Sequence, residues 1–306
     1  MRAVTPRIEE VLKERNIDFL TDVSAKTLST FRIGGIVKTL ILPKCVSELE
    51  EAIALCRACG NDFAVIGGGS NVLFGDGAID VAVISTRRLD AVRVRDETIF
   101  AECGVFLGKL ARFAAENGLC GLEFAAGIPG TLGGAVFMNA GAFGGEIGAL
   151  VRSVPVFLPE ENKIRRFSRE EAGFAYRESV FQHRGAIVLG AELTLARGDP
   201  AEIARKVSEF ARRRKATQPQ GEPSAGSVFR RPAPGYPLAR VLDELGVKGW
   251  REGGAAVSEK HAGFIVNRGG ATARDVKKLI GRIQNHIEKE KGFRPQTEIR
   301  SIPREK

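Results

Sequence analysis

The sequence predicts an α+β protein made of three consecutive units, and three observations support this prediction. The chain opens with a β-α-β pattern that ends in a glycine run. Its middle part consists mostly of short apolar segments that are typical of strands. Its last part carries two segments with helical periodicity, separated by a Pro/Gly-rich loop. We expect the units at residues 1–84, 85–199 and 200–306.

Apolar periodicity defines the elements of the first unit. We expect a helix around Ile8 to Arg15, a short strand from Lys38 to Leu42 and a helix from Val46 to Cys59. Phe63 to Ile66 is a short apolar run bounded by glycines, which indicates a strand. A further strand-like segment follows at Val81 to Ile84.

A glycine run comes directly after the strand predicted at Phe63 to Ile66. The dinucleotide-binding fingerprint requires a glycine at position 72 and then a helix, but Val72 stands there and a turn follows. We interpret the run as another kind of phosphate-binding loop, in which consecutive backbone N–H groups bind an anion. A plain strand-to-strand turn is the alternative. The run consists of Gly67, Gly68, Gly69, Ser70 and Asn71.

The second unit is predicted to alternate strands with one helix. The helix spans Phe106 to Asn117, and the strand candidates are Val154 to Leu158, Ile164 to Phe167 and Ala186 to Leu195.

Within this unit, the segment Gly127 to Ala142 crowds glycines and small residues around Asn139. Glycine loses much conformational entropy on folding, so such a run indicates a ligand that approaches main-chain N–H groups closely. A flexible linker is the alternative, but apolar residues such as Leu132 and Phe137 interrupt the run. We therefore predict a ligand cradle.

The third unit begins at Pro200 with a helix that runs to Lys215. The polar loop Thr217 to Ser227 follows, and a strongly periodic helix spans Thr272 to Lys289. Thr272 is expected to cap this helix.

Composition limits the classes of protein. With 306 residues and 43% hydrophobic content, the chain can bury a substantial core. It carries no apolar stretch of membrane-span or secretory-signal type, so we expect a soluble, cytoplasmic protein. Five unevenly spaced cysteines do not form a disulfide framework, and the pair Cys56 and Cys59 suits helix packing better than redox chemistry. Three histidines without a Cys/His grouping predict no metal site.

The net charge of +9 indicates an anionic partner, either nucleic acid or a phosphorylated metabolite. The densest basic cluster, Arg212 to Lys215, ends a predicted helix and has no interleaved aromatic residues. A solvated helix terminus explains it, and a nucleic-acid-binding module is not predicted.

Two glycine-rich segments, after a β-α-β unit and inside a mostly β unit, resemble the FAD-binding domain of the vanillyl-alcohol oxidase and p-cresol methylhydroxylase superfamily. Seven motifs, in order and over nearly the whole chain, together resemble the UDP-N-acetylenolpyruvoylglucosamine reductase family. They are Thr30–Gly35, Gly67–Asn71, Gly127–Ala142, Tyr176–Ser179, Gly226–Phe229, Ser258–Ala262 and Thr297–Ile299.

The resemblance implies a two-part FAD-binding domain of the p-cresol methylhydroxylase type and a smaller α+β substrate-binding domain. It implies FAD as cofactor and NADPH as cosubstrate. The substrate would be UDP-N-acetylglucosamine enolpyruvate, reduced to UDP-N-acetylmuramate for peptidoglycan synthesis. No obligate protein partner is expected.

The resemblance also implies three catalytic residues. Ser227 would donate a proton to the carbon next to the carboxylate after hydride arrives from flavin N5, and Arg177 and Glu298 would stabilise the enolate-like intermediate. A fixed guanidinium and a held hydroxyl suit this chemistry. Without the resemblance, structural explanations are preferred for all three: an ion pair of Arg177 with Glu178 or another surface carboxylate, a turn hydroxyl for Ser227, and a solvent-facing strand position for Glu298.

The implied binding residues fall into two sets. FAD would contact both glycine segments, namely Gly67, Gly68, Gly69, Ser70, Asn71, Gly127, Ile128, Pro129, Gly130, Thr131, Gly133, Gly134, Ala135, Asn139, Ala140, Gly141 and Ala142. Substrate would contact Tyr176, Arg231, Tyr236, Lys260 and His261.

The chain departs from the family pattern after the predicted catalytic serine. Arg231 stands where the family usually has an asparagine, and an arginine there suits the UDP pyrophosphate. Between Phe181 and Leu195 there is no tyrosine-bearing insertion, as in the subclass without a substrate-capping tyrosine loop. Tyr236, in the Pro-rich loop, is either a replacement contact or an ordinary loop aromatic.

Two other functions compete with this interpretation. One is a noncatalytic FAD- or nucleotide-binding protein, against which the intact set Arg177, Ser227 and Glu298 argues. The other is a flavin oxidase acting on an alcohol or phenol, but no histidine lies near the glycine segments for covalent flavin attachment.

Overall fold

The structure, a computed structural model, describes residues 7–233 and 235–304. The helices in these ranges are α1 (Ile8–Glu14), α2 (Val46–Ala58), α3 (Leu107–Glu116), α4 (Leu132–Phe137), α5 (Pro200–Thr217), α6 (Leu238–Glu244) and α7 (Ala273–Lys291). The strands are β1 (Phe19–Ser24), β2 (Ile36–Ile41), β3 (Phe63–Ile66), β4 (Val72–Phe74), β5 (Ala78–Ile79), β6 (Ala82–Ser85), β7 (Val92–Arg95), β8 (Thr98–Glu102), β9 (Leu119–Cys120), β10 (Gly141–Ala142), β11 (Gly145–Glu146), β12 (Val151–Leu158), β13 (Lys163–Ser168), β14 (Ile187–Val188), β15 (Gly190–Thr194), β16 (Ala196–Arg197), β17 (Ser224–Ser227), β18 (Arg251–Glu252), β19 (Ala255–Val257), β20 (Phe264–Asn267) and β21 (Arg300–Ile302).

These elements form two compact units, each discontinuous in sequence. The first unit comprises the residues up to Thr21 together with Thr39–Gly68 and Val81–Arg213. The second comprises Asp22–Lys38, Gly69–Asp80 and the residues from Arg214 onward. The α+β fold class is confirmed, and the division at residues 84 and 199 stays a prediction.

A parallel sheet in the first unit contains the predicted β-α-β arrangement. Strand β6 pairs in parallel with β3 along its length and with β2 at Leu40 and Ile41. Helix α2, which connects β2 to β3, buries Leu49 and Ile53 in the same apolar cluster as Ile84. The alternation of short apolar runs with a helical period therefore predicted these elements correctly.

Cysteine burial agrees with the packing role predicted for Cys56. The thiol lies in the cluster beneath α2, and burial raises its pKa to about 12. A thiol held protonated in this way is a poor nucleophile. All five cysteines are free.

A larger antiparallel sheet forms the second core of the first unit. Its strand order is β13-β12-β15-β8-β7, with β14 beside β12. Helices α3 and α4 bury Leu110 and Val136 in the same cluster as Val154, Phe181 and Leu193. The single strand predicted from Ala186 to Leu195 is divided into β14 and β15.

The second unit is built on the antiparallel sheet β17-β20-β19-β18 and on helix α7. Helix α7 begins where it was predicted. The Thr272 side chain accepts the Asp275 amide, and the Asp275 side chain accepts the Thr272 amide, which completes a capping box. Leu279 and Ile283 of α7 are buried with Ile265 of β20. No helix within the two described ranges is long and apolar enough to cross a membrane.

Candidate functional site

Two glycine-rich segments meet in the first unit, as the cradle prediction requires. A Cβ on Gly68 would lie 2.6 Å from Gly130 Cα, and a Cβ on Gly67 would lie 2.1 Å from Thr131 Oγ1. Neither position tolerates a side chain without a shift of its neighbours. The guanidinium of Arg87 donates to the Gly67 and Gly68 carbonyls, each at 3.1 Å. Arg87 thus fixes the peptide planes of this loop, a role that no motif in the sequence indicated.

The rest of the first glycine run belongs to the second unit. Gly69 has a φ of 68°, and a Cβ there would lie 1.9 Å from the Leu28 carbonyl oxygen. Asn71 donates its side-chain amide to the Glu298 carbonyl at 3.0 Å, and its own carbonyl accepts the Arg300 amide at 3.0 Å. Asn71 therefore braces the loop against the C-terminal strand, beside the half-buried Ser70.

The second segment folds as loop, short helix and loop. Thr131 precedes α4, and its hydroxyl is buried with no hydrogen-bond partner among the residues that the structure describes. The first two amides of α4, of Leu132 and Gly133, donate to the Val105 and Cys103 carbonyls. The helix start is therefore already bonded within the protein, and among the described residues the Thr131 hydroxyl is left as a polar group without a partner at this point.

These features fit a dinucleotide such as FAD. Only glycines permit the close backbone approach at Gly67 and Gly68, and the buried hydroxyl of Thr131 can donate to a phosphate oxygen. The loop at Gly127 and Gly130 takes φ values of 73° and 115°, which favour glycine. The same segment contains the other residues that are predicted to contact FAD, namely Ile128, Pro129, Gly134, Ala135 and Ala140.

Asn139 is fully buried, and its side chain is engaged within the protein. Its amide nitrogen donates to the Ala175 carbonyl at 2.8 Å, and its amide oxygen accepts the Gly148 N–H at 2.9 Å. The residue itself has a φ of 43°. Any contact of Asn139 with a cofactor would therefore come from its backbone, and this assignment stays a prediction.

The predicted catalytic Arg177 lies beside the same segment in the first unit. One guanidinium nitrogen donates to the Gly141 carbonyl at 3.1 Å, in β10 next to Ala142. The guanidinium carbon lies 5.3 Å from the centroid of the Tyr176 ring. Arg177 is thus held close to the predicted cofactor segment, which no sequence motif indicated.

The other two predicted catalytic residues come together in the second unit. Ser227 ends β17 opposite Phe264, and Gly226 before it has a φ of 79°. The Glu298 amide donates to the Val228 carbonyl at 2.7 Å, which places Glu298 on the neighbouring stretch of chain. Strand pairing, rather than sequence proximity, therefore brings Ser227 and Glu298 close to each other.

Arginines cluster around Arg300, close to Glu298 in sequence. Arg300 lies two residues after Glu298 and begins β21. Burial, together with the charges of Arg304 and Arg230, lowers the pKa of the Arg300 guanidinium. A basic environment of this kind suits an anionic substrate. The sequence offered only the spacing between Glu298 and Arg300 as a signal for this cluster.

His261 lies next to the predicted proton donor. A Cβ on Gly263 would lie 3.2 Å from His261 Nδ1 and 3.3 Å from Ser227 Oγ, so the imidazole and the hydroxyl flank the same glycine. Nδ1 accepts the Gly263 N–H at 3.1 Å, and burial lowers the pKa of the ring. His261 is therefore held neutral with its hydrogen on Nε2.

The remaining predicted substrate contacts occupy different parts of the second unit. Lys260 is exposed and donates to the Lys215 carbonyl. Arg231 is exposed in the loop before α6. The Tyr236 ring stands edge-on to Phe293, with centroids 5.6 Å apart. Tyr236 is thus partly packed into the core, which limits its exposure to a ligand.

Two families of known proteins match separate parts of the chain. Residues 37–168 match the FAD binding domain family, and residues 218–302 match the family described as UDP-N-acetylenolpyruvoylglucosamine reductase, C-terminal domain. The first match contains both glycine-rich segments, and the second contains Ser227 and Glu298.

Curated relatives and a solved structure cover nearly the whole chain. A UDP-N-acetylenolpyruvoylglucosamine reductase of Caldicellulosiruptor saccharolyticus is 41% identical over 97% of this chain and 96% of its own. A UDP-N-acetylenolpyruvoylglucosamine reductase of Thermotoga sp. is 42% identical over 89% of each chain. The crystal structure of UDP-N-acetylenolpyruvylglucosamine reductase from Thermus caldophilus aligns with a TM-score of 0.78 at 34% identity, over 94% of this chain and 99% of that chain.

Proposed function

Because this chain belongs to the UDP-N-acetylenolpyruvoylglucosamine reductase family, we propose that Arg177, Ser227 and Glu298 carry out its chemistry. The chain reduces UDP-N-acetylglucosamine enolpyruvate to UDP-N-acetylmuramate, with FAD as cofactor and NADPH as reductant, in peptidoglycan synthesis. We infer a cytoplasmic location, since NADPH and nucleotide sugars are cytoplasmic metabolites.

The reaction adds one hydride and one proton across the carbon–carbon double bond of the enolpyruvyl ether. FAD, when bound, supplies hydride transfer from NADPH to the terminal carbon of this double bond. The proton must go to the neighbouring carbon, which bears the carboxylate. The protein therefore has to hold one acid at that carbon and stabilise negative charge on the carboxylate.

Ser227 is the proposed acid. The observation that carries this proposal is its placement at the end of β17, beside Gly263 and next to the stretch that holds Glu298. A serine hydroxyl is a weak acid, but it can protonate a strongly basic enolate carbon when it is held in place. Solvent returns the proton to the serine after each turnover.

Arg177 and Glu298 are the proposed partners of the developing charge. A guanidinium remains protonated throughout and can bind both oxygens of a carboxylate. The hydrogen bond to the Gly141 carbonyl fixes one side of the Arg177 guanidinium, which lowers the cost of orienting it. Glu298, which is half-buried two residues before Arg300, can polarise the substrate.

FAD is proposed to bind along the two glycine-rich segments. Gly67, Gly68 and Gly130 provide the close backbone approach, and Thr131 provides a buried hydroxyl. Arg231 and Lys260 are proposed to bind the diphosphate of the UDP-sugar, with His261, Tyr176 and Tyr236 as further substrate contacts. The net charge of +9 favours the approach of all three anionic ligands.

The proposed function is tested on the purified protein. We expect a yellow flavin spectrum and NADPH oxidation that depends on UDP-N-acetylglucosamine enolpyruvate, with UDP-N-acetylmuramate as the product. Arg177→Lys should slow oxidation of the reduced flavin by substrate more than its reduction by NADPH. A colourless protein without substrate-dependent NADPH oxidation would refute the proposal.

A further inference from the structure

The turn that carries Arg177 is held in a conformation that its sequence does not favour. Ala175 and Glu178 exchange both backbone hydrogen bonds, at 3.1 Å and 3.0 Å, and so close a tight turn. Arg177 has a φ of 57°, in the left-handed region that side chains other than glycine seldom adopt. A tight turn of this kind calls for a positive φ at its second central residue, and because arginine disfavours it, contacts outside the turn are needed to support it.

Gln182 makes the most direct of these contacts. Its side-chain amide donates to the Arg177 carbonyl at 3.0 Å and to the Phe137 carbonyl at 2.9 Å. Phe137 is the last residue of α4, in the predicted cofactor segment. The fully buried Ser179 donates its hydroxyl to the same Phe137 carbonyl at 2.7 Å. One amide group thus connects the Arg177 backbone with the end of α4.

Asn139 provides a second connection from the same segment. It donates to the Ala175 carbonyl at 2.8 Å, two residues before Arg177. The guanidinium of Arg177 in turn donates to the Gly141 carbonyl at 3.1 Å. The turn is therefore attached to the cofactor segment at its start through Asn139, at its centre through Gln182, and through the arginine side chain.

We propose that Gln182 is a positioning residue for Arg177. Its two N–H donors hold the Arg177 carbonyl at a fixed distance from the end of α4, and this maintains the left-handed conformation that directs the guanidinium. Gln182 itself does not need to contact substrate. The inference rests on the proposed role of Arg177 in catalysis, and it adds that the cofactor segment and the catalytic arginine move as one body.

The test compares Gln182→Met with wild type in the FAD-loaded protein. Methionine has nearly the shape of glutamine but lacks both donors, so packing is retained while the two hydrogen bonds are lost. His183→Ala is the matched control, because His183 is the next residue, is exposed, and pairs with the Glu178 carboxylate at 3.0 Å. Gln182→Lys restores N–H donors and is the rescue variant.

The first readout is the NMR signal of the Arg177 side-chain Nε–H group, assigned by its loss in Arg177→Lys. We expect this signal to shift or broaden in Gln182→Met, to remain in place in His183→Ala, and to return toward its wild-type position in Gln182→Lys. An unchanged signal in Gln182→Met overturns the inference, whatever the role of Arg177 in catalysis.

The second readout separates the two half-reactions by rapid mixing. In Gln182→Met, oxidation of the reduced flavin by substrate should be roughly ten- to hundredfold slower, while reduction by NADPH stays within about twofold. Equal slowing of both half-reactions would indicate a general structural role and overturn the inference. If Arg177→Lys itself turns over normally, the proposed function of Arg177 fails, whereas the NMR signal still decides whether Gln182 positions it.

Discussion

At the scale of single residues, the space beside the Ser227 hydroxyl exists because the neighbouring residue, Gly263, has no side chain. Gly263 separates the His261 ring from the Ser227 hydroxyl, and its missing Cβ leaves the space between them open. The sequence marked both Ser227 and His261 through motifs, but it did not show that they flank one position. That proximity follows from the pairing of β17 with β20.

Replacing Gly263 by alanine should disturb proton donation selectively. The new methyl group would lie 3.3 Å from Ser227 Oγ and 3.2 Å from His261 Nδ1, which requires shifts of a few tenths of an ångström. We expect substrate-dependent oxidation of the reduced flavin to slow by about tenfold, equivalent to about 1.4 kcal/mol. Flavin reduction by NADPH should change little in stopped-flow measurements. Equal rates for Gly263→Ala and wild type in both half-reactions would show that the reaction does not need the open space between Ser227 and His261.

The half-buried imidazole of His261 predicts a pH dependence of stability. Burial lowers the pKa of His261 in the folded protein and outweighs a backbone hydrogen bond that raises it, while Lys248 lowers the pKa and Asp243 raises it by less. Because the folded pKa lies below the unfolded value of about 6.5, the contribution of this site is complete above that pH. It is lost as the pH falls from there through the lowered folded pKa, when Nδ1 gains a hydrogen and no longer accepts the Gly263 N–H.

Chemical denaturation between pH 8 and pH 5 checks whether the free energy of unfolding falls as the pH falls. Wild type should lose more unfolding free energy across the range than His261→Gln, whose side chain retains an acceptor and does not titrate. Parallel stability curves for the two proteins would contradict the assignment of His261 as a neutral acceptor.

At the scale of elements, the sequence pattern predicted those helices and strands whose bounds depend on neighbouring residues in the chain. The period of apolar residues predicted β3 at its observed bounds and α7 within two residues at its end, and the Thr272 cap was identified from residue type. By contrast, β21 pairs in parallel with β4, which directly follows the first glycine run. Neither three-residue strand has enough length for a period, so the pairing could not be predicted from the sequence.

The N-terminus of α7 depends on a carboxylate from a distant turn. Asp76 accepts the Ala273 amide at 2.8 Å and the Arg274 amide at 3.1 Å. We expect Asp76→Ala to lower the free energy of unfolding by about 1–2 kcal/mol, the usual effect of losing a helix cap. Urea denaturation measures the change. Glu290→Ala removes a carboxylate near the other end of the same helix, where the dipole does not favour it, and should not destabilise the protein. Equal losses in both variants would contradict the capping role of Asp76.

The contact between the two glycine segments predicts a loss of cofactor when it is filled. A Cβ on Gly68 would lie 2.6 Å from Gly130 Cα, and backbone cannot move aside as a side chain can. We expect Gly68→Ala to cost about 1–3 kcal/mol in stability and to retain much less FAD, measured as flavin absorbance per mole of protein.

Gly108→Ala is the control for this experiment, because a Cβ on the exposed Gly108 of α3 meets no atom within 4 Å. This variant should retain the flavin content of wild type. Full flavin content in Gly68→Ala as well would mean that the segments do not enclose the cofactor.

At the scale of the whole molecule, the residues proposed for binding and for chemistry come from both units. The sequence predicted a separation between the flavin segment, Gly127 to Ala142, and the three catalytic residues. Arg177, although distant in sequence, lies close to that segment in the structure, because Asn139, Gln182 and Gly141 attach its turn to it inside the first unit. Such side chain-to-backbone contacts produce no repeating pattern of residue types from which they could be predicted. Family membership could be predicted from the ordered motifs, whereas these contacts required coordinates.

The most direct test of the proposed chemistry is rapid-mixing kinetics of Ser227→Ala in the FAD-loaded protein. If Ser227 supplies the proton, flavin reduction by NADPH should proceed at nearly the wild-type rate. Oxidation of the reduced flavin by UDP-N-acetylglucosamine enolpyruvate should be slower by about 10²–10⁴-fold, the usual contribution of a positioned general acid. Equal loss in both half-reactions, or an unchanged rate of the second, would contradict the assignment of Ser227 as proton donor.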